Sequence, residues 1–81
     1  MYIFLSDSNR AINLNFVRTF FLEENRIHFE TECGTFFIEF GTDTKAELAF
    51  DDIKIEIKNI ARQDGNRRGY VEISGAQYVE E

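Results

Sequence analysis

The sequence predicts an α+β domain: a four- or five-stranded antiparallel β-meander packed on one amphipathic helix over about 44–61, followed by a short C-terminal strand. Three observations carry this reading. Up to Gly41 apolar residues recur at alternate positions, the period of a strand with one buried face. After Gly41 they recur at the spacing of a helix. And 81 residues is the length of one domain, 1–81, with no repeat, linker or low-complexity tract to divide it.

The elements follow in order. Residues 2–6 are an apolar run ended by Asp7-Ser8-Asn9-Arg10, residues whose side chains bond their own backbone and favour turns. From Ala11 to Glu23, Ile12, Leu14 and Phe16 alternate with asparagines, and Phe20 and Leu22 resume the parity after Arg18. This describes one long bent strand, or two strands meeting near Asn15-Phe16. Glu24-Asn25 then turns a hairpin, after which Ile27, Phe29 and Thr31 face one way while Arg26, His28, Glu30 and Glu32 face solvent. Cys33-Gly34 makes the next turn, and Phe36, Ile38 and Phe40 line the following strand.

Thr44-Lys45-Ala46-Glu47 has the form of a capping box, and Ala46, Ala49, Phe50, Ile53, Ile57 and Ile60 form one helical stripe behind it. The alternative is all-β. Ala46, Leu48 and Phe50 alternate, as do Ile53, Ile55 and Ile57, and Asp51-Asp52 would then turn a hairpin. The cap and the six-member stripe together favour the helix. Residues 62–69 are polar with two glycines and read as a loop, and 70–74 alternate as a last strand. Residues 75–81 either continue that strand weakly or fray as a tail. Phe16, Phe20, Phe29, Phe36, Phe40, Phe50, Ile53 and Ile57 are the expected core.

Composition narrows function. Nine Phe and three Tyr argue for a packed core despite 30% charged residues. Fifteen acidic residues against nine basic give a net charge of −6, which opposes loose binding to nucleic acid or to anionic lipid. The apolar run at the amino terminus is short and has no basic region before it, so neither a signal peptide nor a membrane span is expected. With one cysteine, Cys33, no internal disulfide can form, and a reducing cytoplasmic setting is inferred.

Residues able to do chemistry are sparse. His28 is the only histidine, and beside Glu30 it lacks the further ligands that a metal site needs. Cys33 has no base but His28 five residues away. Gly41-Thr42-Asp43-Thr44 precedes the helix but offers a phosphate one glycine and a repelling aspartate, so it is read as a cap. No catalytic residue, metal or cofactor is assigned.

What remains is surface. Leu48 and Ile55 stack on the helix face opposite the stripe, an apolar seam suited to a partner or a second copy. Glu23, Glu24, Glu30, Glu32 and Glu39 lie in the hairpins and can gather into a negative patch. Arg62, Arg67 and Arg68 are candidate anion contacts on the polar loop. The expectation is a small non-catalytic intracellular protein-binding module. It would be a self-associating adaptor or regulator of bacterial or bacteriophage origin, with a protein or itself as partner and no direct contact with nucleic acid or membrane. The alternative is an acidic, phage-type inhibitor that occupies the nucleic-acid groove of a basic host enzyme.

Overall fold

A computed structural model describes residues 1–63, 65 and 68–81. The fold is α+β, as the change of period at Gly41 predicts. The strands are β1 (Tyr2–Leu5), β2 (Arg10–Asn13), β3 (Val17–Glu23), β4 (Arg26–Thr31), β5 (Gly34–Phe40), β6 (Tyr70–Ile73) and β7 (Ala76–Glu80), with one helix, α1 (Asp43–Ala61). A 3-10 turn over Leu14–Phe16 joins β2 to β3, so 11–23 is two strands meeting at a corner.

The strands divide into two sheets. β3-β4-β5-β7 is four-stranded and antiparallel, while β2-β1-β6 is a three-stranded sheet in which β1 pairs antiparallel with β2 and parallel with β6. The last strand is therefore not 70–74 added to the meander. β6 returns to β1, and β7, in the segment read either as a weak continuation of the last strand or as a frayed tail, closes the larger sheet against β5. Gly75 makes the corner between them at φ +73°, a conformation costly for any residue with a Cβ, and its N–H donates to Asp7 Oδ2 at 2.7 Å.

Alternation explains why the two sheets close on one core. Ile3 and Leu5 of β1, Ile12 of β2, and Val71 and Ile73 of β6 turn inward. They meet Ile27, Phe29, Ile38 and Phe40 of the larger sheet and Ala46, Ala49 and Ile53 of α1. Within the larger sheet Phe20, Phe29 and Phe36 face one another across three strands, with ring centroids 6.0 and 4.9 Å apart, and Tyr78 extends the row at 5.2 Å. Phe50 of the helix meets Phe20 edge-on at 5.4 Å. Arg10 lies 3.8 Å over the Tyr78 ring and ties β2 to β7 across the sheets.

Two expectations about these elements change. The helix is capped by Thr42, whose hydroxyl accepts from the Lys45 N–H at 3.2 Å, so Thr44 and Glu47 lie inside the helix and form no capping box. Phe16 is not core. It sits on the 3-10 corner with 73% of its surface exposed, because the turn takes it out of the strand parity that would have carried it inward.

Candidate functional site: an aromatic face on the three-stranded sheet

The outward positions of β1 and β6 carry aromatic side chains where an exposed face ordinarily carries polar ones. Tyr2, Phe4 and Tyr70 are 44%, 40% and 38% exposed. They are contiguous, with Tyr2 stacked on Phe4 at 6.0 Å and Phe4 meeting Tyr70 edge-on at 5.8 Å. The ladder sets this arrangement: Tyr2 pairs with Asn13 and Tyr70, and Phe4 with Ala11 and Glu72, so Glu72 shares the face. Arg68 completes it, its guanidinium 5.6 Å over the Tyr70 ring.

The start of β6 is fixed by a residue that patterning assigned no role. Glu56 lies in the apolar stripe of α1, between Ile53 and Ile57, and is 2% exposed. Its Oε2 accepts from the backbone N–H groups of Arg68 and, at 2.9 Å, of Gly69, while its Oε1 lies 3.8 Å from Arg68 Nε. The Arg68 amide holds this carboxyl below its usual range. Desolvation opposes the shift, and the Gly69 amide and the Arg68 charge add to it. The helix thus anchors the segment that presents Arg68 and Tyr70.

The sequence-assigned residues are dispersed. Leu48 and Ile55 are 61% and 55% exposed on the outer side of α1, away from the aromatic face. Arg62 is the exposed C-cap of the helix, and Arg67 lies outside the described residues. The carboxylates do not make one unbroken patch. Register places Arg26 between Glu23 and Glu39, and its Nε reaches Glu39 Oε2 at 2.7 Å. Glu30 faces Thr19 and Thr35, Glu32 lies in the β4–β5 turn, and Glu24 occupies the β3–β4 turn at φ 55°.

His28 departs from the solvated strand face expected of it. Its ring stacks on Phe21 at 4.9 Å, lies 5.3 Å from Phe37, and leaves 16% of the side chain exposed. Nε2 is 3.6 Å from Glu23 and Nδ1 is 3.5 Å from Glu81, both beyond good hydrogen-bond length, and Nε2 is buried without a partner. Cys33 is exposed and unpaired. Among the described residues no group of three or more His, Cys, Asp or Glu side chains could hold a metal ion, and no helix is long and apolar enough to cross a membrane.

A mainly apolar cleft of about 330 Å³ lies elsewhere, lined by Met1, Leu14, Val17, Phe20, Ile57 and Ile60 with Asn15 and Arg18 beside them. Among the described residues its lining includes no carboxylate, histidine, lysine, cysteine or hydroxyl side chain. Compared with protein-family models, curated proteins and solved structures, the chain matches none.

Proposed function

We propose that this protein is a non-catalytic, cytoplasmic protein-binding module, an adaptor or regulator that meets a protein partner through the aromatic face of its three-stranded sheet. One observation carries the reading: Tyr2, Phe4 and Tyr70 form a contiguous exposed cluster on regular strands, with Arg68 at its rim and Glu56 fixing the start of β6. Scattered exposed apolar residues are ordinary, but a contiguous aromatic cluster rimmed by charge is the composition of an interface core. Aromatic and arginine side chains dominate binding energy because they cover much area with little rotamer entropy to lose. The free, exposed Cys33 supports a reducing compartment.

The acidic-inhibitor reading is the weaker one, because Arg26 interrupts the carboxylate row between Glu23 and Glu39 and lowers the local negative potential. Affinity capture from bacterial lysate with the wild type, Phe4→Ser, and Glu30→Lys combined with Glu32→Lys separates the two. A stoichiometric protein partner lost with Phe4→Ser and kept with the lysine pair is the expected result. Loss of a hot-spot aromatic weakens binding by about 30-fold or more. A partner retained by Phe4→Ser and released by the lysine pair would overturn the aromatic-face reading.

A further inference from the structure

The mainly apolar cleft of about 330 Å³ lies where the 3-10 corner, the start of β3 and the end of α1 meet. Leu14, Val17, Phe20, Ile57 and Ile60 wall it, and each is half-buried. Apolar side chains gathered around a concavity leave surface that an apolar occupant would remove from water.

A break in the sheet builds the polar rim. Val17 faces Thr31 and Thr19 faces Glu30, so β3 advances two residues while β4 advances one, and Arg18 is the extra residue of a β-bulge. Unbroken parity would turn position 18 inward with Phe20 and Leu22. The bulge gives that place to Val17, which packs against the core, and leaves Arg18 exposed beside the cleft. No carboxylate among the described residues comes within ion-pair distance of its guanidinium. Asn15 stands on the same rim, its backbone N–H donating to Asn13 Oδ1 at 3.0 Å.

The rim selects a head group and the volume a tail. A guanidinium holds a carboxylate through two parallel hydrogen bonds. A phosphate monoester, with nearly two negative charges at neutrality, would meet Glu30 and Glu32, which border the depressions on the other side of Arg18. The net charge of −6 opposes a polyanion further. One cation suits one monoanion. At about 30 Å³ for a group the size of a water molecule, the cleft has room for a chain of roughly eight to ten carbons.

We propose that this cleft binds one medium-chain fatty carboxylate, its chain lying among Leu14, Val17, Phe20, Ile57 and Ile60 and its head group on Arg18. The site shares no residue with the aromatic face, and the inference does not depend on the partner-binding reading.

Titration of isotope-labelled protein with decanoate below its micellar concentration, followed by heteronuclear NMR, tests this. Saturable shifts centred on the amides of Leu14, Val17, Phe20, Ile57 and Ile60 are expected. Octanoate binds about tenfold more weakly than decanoate, since two methylenes fewer are buried. Arg18→Gln weakens decanoate by about fivefold or more and leaves decanol, the same chain without the charge, unchanged. Ile60→Phe fills the cleft and abolishes binding with an unchanged circular dichroism spectrum, whereas Phe4→Ser leaves binding intact. Absence of saturable shifts, shifts centred on Tyr2, Phe4 and Tyr70 or on Leu48 and Ile55, or decanoate binding indifferent to Arg18→Gln would each overturn the proposal. So would cleft shifts that grow with protein concentration alone, which would assign the cleft to a second copy.

Discussion

Ile53 and Ile55 separate a helix from a hairpin over 43–61 by their energetics. In the helix they project to opposite sides, and Ile53 is 0% exposed while Ile55 is 55% exposed. In a hairpin turning at Asp51-Asp52 they would share a face. Truncating Ile53 to alanine removes three carbon groups from the core, about 2.5 kcal/mol of transfer free energy, and leaves a cavity walled partly by β-sheet that cannot collapse freely. The expected loss is about 3–4 kcal/mol, against a total stability for a domain of this size of about 4–12 kcal/mol. The melting temperature should fall by about 12–30 °C. Ile55→Ala gives up a half-exposed contact and gains a few tenths of a kcal/mol in helix propensity, so its net effect stays within about 0.5 kcal/mol. Urea denaturation followed by circular dichroism at 222 nm measures both in one day's titrations. Equal losses at the two positions would refute the helical phase, and with it the place given to Glu56.

Thr42→Ala should cost about 1 kcal/mol in the same assay, whereas Thr44→Ala, inside the first turn, should stay within about 0.5 kcal/mol; the reverse order would put the cap at Thr44. Gly75→Ala forces a Cβ into φ +73° and should cost about 1–2 kcal/mol, while Gly41→Ala, with ordinary backbone and open space around it, should cost less than half of that. Glu56→Gln should destabilise the protein in a pH-dependent way. A folded value held below the ordinary 4.5 means that ionised Glu56 contributes stability fully above that value and loses it as pH falls through the lowered one. The gap between wild type and variant should therefore be widest near neutrality and close in acid, and a gap that widens in acid would contradict the assigned role.

Much of this fold is legible in the chain because its determinants are local. The alternation of Ile27, Phe29, Phe36, Ile38 and Phe40 fixes β4 and β5 and the face they bury, and the stripe from Ala46 to Ile60 fixes α1 and leaves Leu48 and Ile55 outside. The partition into two sheets is not local. Nothing near Tyr70 says that it pairs in parallel with Tyr2, sixty-eight residues away, rather than extending the meander. Phe16 is misplaced for a related reason: a three-residue 3-10 turn shifts parity without any glycine or proline to mark it. The aromatic face follows from both effects. Tyr2, Phe4 and Tyr70 read as ordinary strand residues until the parallel pairing brings them together, and the carboxylate row is interrupted where register sets Arg26 between Glu23 and Glu39. Within its own strand His28 has polar neighbours, whereas its ring is covered by Phe21 and Phe37 from the strands on either side. One clue did stand in the sequence. A carboxylate at position 56, within an otherwise apolar stripe, is a local inconsistency of the kind that marks a tertiary constraint.

Glu56 links the helix to the start of β6. A buried carboxylate is costly beside an isoleucine or leucine of similar volume, and its retention has to be explained by what it holds. Glu56 reaches the backbone of Arg68 and Gly69 and nothing else in hydrogen-bond range among the described residues. Gly69, at φ +81°, turns the chain into β6, and its carbonyl begins the ladder with Tyr2. The anchor therefore determines where β6 starts, which parity puts Tyr70 outward, and where Arg68 stands relative to Glu72. An apolar residue at 56 would pack with Ile53 and Ile57 but leave two amides without an acceptor at the point where strand register is decided. The aromatic face proposed to bind has its origin here, so Glu56→Gln should weaken partner capture and stability together, whereas Phe4→Ser should weaken capture alone.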